Sequence, residues 1–205
     1  MAIVLTSSFS RTCATYAIPE TVPICEDLPQ RPINPYGASK FIIERMLQSF
    51  DAAHWLRSIS LSYFNAAGAA SDGEIGEAHE PETHLIPLVL DVASGKRPSI
   101  TVFGDDYDTP EGPCIQDYIH VSDQADAHVF AQKALEYSAK TTAYNLGNGV
   151  KFSVREVIAS VERVMSKKVP LKIGPRRPGV PPPLVSDANF AMANLSWLPK
   201  YHEID

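Results

Sequence analysis

Short apolar runs of strand length alternate with stretches of helical period along most of this 205-residue chain, and that alternation is what most limits its fold. Ile3-Val4-Leu5 reads as a short buried strand running into a Ser/Thr-rich segment, and Pro19, Pro23, Pro29, Pro32 and Pro35 then punctuate an extended loop. Asn34-Pro35-Tyr36 is a helix start, with Asn as cap and Pro in the first turn. Ile42, Ile43, Met46, Leu47 and Phe50 follow at helical spacing and predict an amphipathic, packed helix. Apolar Ile59, Leu61 and Tyr63 alternate through a predicted strand from Arg57 to Asn65. A helix over Leu85–Ala93 and strands at Ile100–Phe103, Tyr118–Val121, Ala143–Leu146 and Val169–Ile173 are expected downstream. Asp123 is read as the cap of the helix after Tyr118–Val121, and Ser153-Val154-Arg155-Glu156 as a capping box. Strands separated by helices indicate an α/β chain with parallel pairing.

Bulk properties narrow the function. Forty-four per cent hydrophobic and 20% charged residues are ordinary for a globular protein. A formal net charge of -6 argues against sequence-independent nucleic-acid binding or an anionic membrane surface, both of which need basic patches. The N-terminal apolar run is too short for a signal peptide or a span. Three cysteines, Cys13, Cys25 and Cys114, lack metal-ligand spacing and fit free thiols in a reducing, cytoplasmic compartment. His79-Glu80-Pro81-Glu82-Thr83-His84 approximates a helical zinc-protease motif, but its spacing is one residue too long and Pro81 forbids the helix, so no metal is expected.

The chemistry centres on Tyr36-Gly37-Ala38-Ser39-Lys40, which puts a phenol and an ammonium one helical turn apart on one face. Tyrosine is a poor base at its ordinary pKa of about 10. A neighbouring cation favours the phenolate, the form needed to take a proton from a sugar hydroxyl at neutral pH.

Around this pair, further motifs occur in one order: Asn34 to Lys40, Ser62-Tyr63-Phe64-Asn65, Glu80 to Pro87, Phe103 to Tyr107, Asp117 to Val121, Asn145 to Gly149, Phe152 to Glu156 and Arg176 to Gly179. Together, over about Thr12 to Tyr201, they resemble the UDP-glucose 4-epimerases, a branch of the extended short-chain dehydrogenases/reductases. The resemblance implies a partial Rossmann-like parallel sheet with a smaller C-terminal α/β substrate-binding domain. Residues 1–65 would carry the remainder of the dinucleotide-binding domain, and 66–205 the nucleotide-sugar domain, with 115–137 returning to the first.

The implied activity is NAD-dependent epimerisation at C4 of a UDP-hexose through a transient 4-keto sugar, as in galactose metabolism. Tyr36 would take the 4-hydroxyl proton, and Lys40 would hold the nicotinamide ribose and favour the Tyr36 phenolate. Thr12 would hydrogen-bond the reacting hydroxyl, with Ser8 as the rival if Ile3-Val4-Leu5 is the strand entering the site. Phe64 would lie near the nicotinamide. Asn65, His84 and Leu85 would meet the diphosphate and uridine, Val102 and Phe103 the uracil, and Arg177 a phosphate. Cys13-Ala14 after Thr12, with no acid, favours epimerase over the dehydratase branch.

Some family features are missing. The chain has no GxxGxxG turn, and Gly147-Asn148-Gly149 reads as an ordinary strand-to-helix turn. The Arg usual before Asp117 is Gln116, the Arg usual before Tyr63 is Ser62, and the acid usual after Gly179 is Val180. Arg11 stands where a small hydroxyl residue is usual. The expectation is therefore a cofactor-binding segment supplied from upstream or by another chain, and an uncovered sheet edge that favours association, as a homodimer or with such a chain. The alternative is a truncated, inactive nucleotide-sugar-binding protein.

Overall fold

The computed structural model describes residues 5–16, 18–104, 115–176 and 185–204. Among the described residues, three small sheets carry the fold. The first is parallel, in the order β1 (Thr6–Thr12), β2 (Arg57–Tyr63) and β6 (Thr142–Asn145). The second joins β3 (Asn65–Ala67) in parallel to β5 (Ile115–His120), which pairs antiparallel with β7 (Lys151–Ser153). The third pairs β4 (Ile100–Phe103) in parallel with β8 (Leu171–Gly174). Helices α1 (Pro35–His54), α2 (Leu85–Ala93), α3 (Val121–Glu136), α4 (Val154–Met165) and α5 (Asn189–Leu195) cover them. This is the expected α/β class with mostly parallel pairing.

The period-2 alternation of β2 gives the first sheet two unlike faces. Ile59 and Leu61 point to one side, where they form an apolar core with Ala127, Ala131 and Leu135 of α3, Ala191 and Leu195 of α5, and Trp197. Ser58, Ser60 and Ser62 point to the other side, toward α1, and are buried there with Arg11 and Glu44. A second apolar core binds α2, α4 and β4 through Val89, Val92, Ile100, Val102, Val154, Ile158 and Val161.

Several local expectations need correction. The first described strand is the Ser/Thr-rich segment Thr6–Thr12, with Leu5 just ahead of it, while Ile3 and Val4 of the expected strand lie outside the described residues. Its serines are accommodated because Ser8 and Ser10 bond the two ring nitrogens of His128 at 2.7 and 3.2 Å. The predicted strand over Arg57–Asn65 divides at Phe64, so that Asn65 enters the second sheet. α3 is capped by His120, whose ring nitrogen accepts from Ser122 N at 3.1 Å, rather than by Asp123. Asp123 is instead fully buried, and its carboxylate accepts the main-chain N–H groups of Lys200 and Tyr201, tying the C-terminal segment to α3.

The largest correction concerns α1. Its apolar residues were expected to be packed, yet Ile42, Met46 and Phe50, spaced one turn apart, are exposed, as is Ile43. The inward face is held by polar groups instead, so helical periodicity identified the apolar stripe but assigned it to the wrong side.

Candidate active site

Helix α1 starts where the sequence places it. Asn34 Oδ1 accepts from Gly37 N at 2.7 Å, and Pro35 occupies the first turn, where its missing N–H is not needed. Gly37 presses this start against the 3-10 turn Cys13–Tyr16: a Cβ there would stand 2.6 Å from Ala14 O. The start of α1 is thereby fixed beside the carboxyl end of β1, the end at which parallel α/β sheets bind ligands.

Tyr36 projects from the first turn and is 58% exposed. The Lys40 ammonium lies 5.8 Å from the centroid of the Tyr36 ring and 5.1 Å from that of Phe9. Lys40 Nζ donates to Ser10 O at 3.0 Å, which anchors the side chain to β1. An ammonium has three donors, so N–H groups remain for a diol or another ligand. Thr12 ends β1, nearly buried, with Oγ1 accepting from Ala14 N at 3.2 Å. Ser8 bonds His128, on the α3 side of the sheet away from Lys40. Lys40 is thus anchored at Ser10, and the start of α1 packs on the turn that follows Thr12, while the Ser8 hydroxyl is taken up by His128.

Beneath this surface lies a polar network that sequence reasoning registered only as an anomaly. Arg11 is 2% exposed, and its Nε is 2.7 Å from Glu44 Oε2 of α1. Its Nη atoms donate to Ser62 Oγ at 2.8 Å, Thr15 Oγ1 at 3.0 Å and Tyr16 Oη at 3.4 Å. Tyr16 Oη in turn donates to Asn145 Oδ1 at 3.1 Å, and Asn145 N donates to Glu26 Oε1 at 2.6 Å. Burial pushes the Tyr16 phenol and the Glu26 carboxyl above their ordinary values, partly opposed at Tyr16 by Arg11. Burial raises the Cys13 thiol well above its usual range. Cys13 and Cys25 are both unpaired, while Cys114 lies outside the described residues.

The remaining residues occupy several elements. Phe64 packs on Cys13, Tyr16 and Ile24, beside the 3-10 turn. Asn65 Nδ2 donates to Asp117 O at 3.0 Å, stapling β3 to β5. His84 caps α2 through its main chain with no side-chain cap bond, and Leu85 opens the helix. On β4 the Val102 side chain belongs to the core, so a base lying along that strand would meet its main chain, while Phe103 is on the open side. Arg177 and Val180 lie outside the described residues, as does the Asp105–Pro113 loop.

Gly147-Asn148-Gly149 is followed by β7 rather than directly by a helix, and a Cβ on Gly147 would meet Asp117 Oδ2 at 2.6 Å. Its glycine serves close packing. Asp117 is 2% exposed; Oδ2 accepts from Ser186 N at 3.0 Å while Oδ1 has no partner, and burial lifts its pKa to about 7.

Known proteins with this arrangement are numerous. The chain is 50% identical over 197 residues to the UDP-glucose 4-epimerase of Azospirillum brasilense, covering 96% of this chain and 57% of that one. It is 45% identical to the UDP-glucose 4-epimerase of Streptococcus mutans, covering 96% of this chain and 59% of the relative. The chain thus spans somewhat under three fifths of these relatives' length. The structure superposes on the Brucella ovis UDP-glucose 4-epimerase in complex with NAD with a TM-score of 0.95 at 46% identity, covering 98% of this chain and 62% of that chain. The Bifidobacterium longum enzyme in complex with NAD+ and UDP gives 0.89 at 37% identity, covering 98% and 61%. With the start of α1 locked to the end of β1, and residues 5–147 matching throughout, the chain belongs to the NAD dependent epimerase/dehydratase family.

Proposed function

We propose that this chain carries the proton-transfer and substrate-binding half of a UDP-glucose 4-epimerase of galactose metabolism, acting on a UDP-hexose with NAD. The observation that supports the reading is the packing of the Tyr36 helix start on the turn after Thr12, with the phenol exposed and the ammonium tethered to Ser10 O. Tyr36 takes the proton of the sugar 4-hydroxyl and later returns it. Thr12 orients that hydroxyl, and Lys40 holds the nicotinamide ribose with its uncommitted N–H groups. NAD, when bound, supplies the hydride acceptor and donor for sugar C4. Phe64 borders the nicotinamide, while Asn65, His84, Leu85, Val102, Phe103 and Arg177 serve the nucleotide.

The division into residues 1–65 and 66–205, with 115–137 returning, is supported by the packing of α3 on β1 and β2. Association, as a homodimer or with a chain that supplies the glycine-rich segment, is supported by two features. One is the exposed Ile42, Met46 and Phe50 face of α1. The other is that β1, among the described residues, pairs only with β2. Unpaired Cys13 and Cys25 support a reducing, cytoplasmic setting. Among the described residues no helix is long and apolar enough to cross a membrane.

The test is the NAD content of the purified full chain, released by denaturation and compared with protein concentration. Near-stoichiometric NAD, or stoichiometric uptake of added NAD, is expected. A protein that neither carries nor takes up NAD overturns the reading of this chain as an enzyme by itself. A second reading, nucleotide-sugar binding without turnover, is favoured by Gln116 and Val180, which stand where an arginine and an acid are usual. It predicts calorimetric binding of a UDP-sugar by the NAD-free chain.

A further inference from the structure

Four metal-ligating side chains converge on the loop that leads into α2, and one of them, His84, is also among the nucleotide residues proposed above. One ligand atom each from Glu77, His79, Glu82 and His84 lies within 4.8 Å of all the others. His84 Nδ1 is 3.0 Å from Glu82 Oε1 and 3.8 Å from Glu77 Oε1, and His79 Nδ1 is 4.0 Å from Glu82 Oε1. The two imidazoles stand side by side, with centroids 5.2 Å apart.

These separations can be set against a metal's requirements. Donors about 2.0–2.1 Å from a tetrahedral zinc ion are about 3.4 Å from one another. The three recorded separations bracket that value. Only the His84–Glu82 contact is a hydrogen bond; the approaches of Glu77 and His79 are longer than one. Glu82 is the fixed point of the group, since its Oε1 also accepts Thr83 N and His84 N, each at 2.6 Å. The two carboxylates carry the charge that one dication balances. A mixed nitrogen and oxygen donor set suits zinc and its neighbours, whereas calcium and magnesium take oxygen ligands.

We propose that Glu77, His79, Glu82 and His84 form a surface site for one divalent transition-metal ion of the zinc class. The ion ties Glu77 and His79 to Glu82 and to the residue that caps α2, so it stiffens the loop rather than entering the sugar chemistry. The Zn ligands come from a loop turn and owe nothing to a helix, so Pro81 is no obstacle to them.

The full chain, stripped with a chelator and desalted, is titrated with zinc against a chromophoric competitor. One zinc per chain is expected, with affinity at least ten-fold weaker in His79→Ala and in Glu77→Gln; both positions are exposed loop residues, so the variants fold. Added zinc is also expected to raise the melting temperature of the wild type but not that of His79→Ala. Cobalt in place of zinc is expected to give the intense visible bands of a four-coordinate site. Absence of stoichiometric uptake, unchanged affinity in both variants, or a thiolate-to-cobalt charge-transfer band marking a cysteine site would each overturn the proposal.

Discussion

Arg11 and Ser62 are register partners on neighbouring parallel strands, and the guanidinium of the first donates to the hydroxyl of the second at 2.8 Å. Family resemblance leads one to expect a small hydroxyl residue at 11 and an arginine at 62, so the two residue types stand here in exchanged places. Because the positions face each other on the α1 side of the sheet, either can bring a guanidinium to Glu44. Arg11→Ser alone leaves the Glu44 carboxylate buried without its cation, and is expected to cost about 3–5 kcal/mol in urea denaturation. Ser62→Arg alone crowds a second cation into the same place and is destabilising as well. The double variant Arg11→Ser/Ser62→Arg is expected to recover at least half of the single-variant loss.

Tyr36 is exposed and makes no contribution to either apolar core. Tyr36→Phe is therefore expected to leave the melting temperature within about a degree of wild type, surface changes being worth only about ±0.5 kcal/mol. In any preparation that turns over a UDP-hexose, the same change is expected to lower kcat about 10²–10⁴-fold, the usual contribution of a positioned acid–base group. Unchanged turnover would remove Tyr36 from the mechanism.

Asp117 gives the fold a pH dependence. Burial raises its carboxyl from an ordinary 3.8 to about 7, so between those values the folded chain holds a proton that the unfolded chain releases. The sign follows: this group's effect on stability becomes less favourable as pH rises from about 4 to about 7, by a few kcal/mol in total. Urea denaturation at pH 5 and pH 8 measures it. Asp117→Asn, which cannot ionise, is expected to flatten the profile and to exceed wild-type stability at pH 8.

The apolar stripe of α1 predicts association. Ile42→Glu/Met46→Glu places charges on a face that is already exposed, so folding is expected to survive while sedimentation shifts toward a monomer. A wild-type chain that is monomeric at high concentration would leave the stripe without this role.

Much of the fold was legible because it depends on short-range signals. Asn34 with Pro35, the Ser153–Glu156 capping box and the apolar run from Leu85 to Ala93 each fix an element by local chemistry alone. The strand character of Thr6–Thr12 was not legible because its polar residues find partners far along the chain, at His128 and Glu44, which no local pattern reveals. Asp123 misled for a similar reason, since an acid three residues into a helix looks like a cap until the chain from Lys200 returns to it. Tyr36 and Lys40 were readable from one helical turn. The meeting of His79 and His84 was hidden, because a helical template was the only spacing rule available and the loop folds their ligands together by another route.

The sheet beneath α1 has an oily side and a wet side, and the helix bearing Tyr36 and Lys40 rests on the wet one. Grease tolerates sliding, because one methyl contact replaces another at little penalty. Directional bonds do not: Gln30 Nε2 donates to Glu44 Oε2 of α1 at 2.9 Å, and Arg11, ion-paired with the same carboxylate, is itself held by hydrogen bonds at 2.8 and 3.0 Å, so a small lateral displacement disturbs several together. The helix therefore has one seat rather than a range of them, and its phenol and ammonium inherit that single setting.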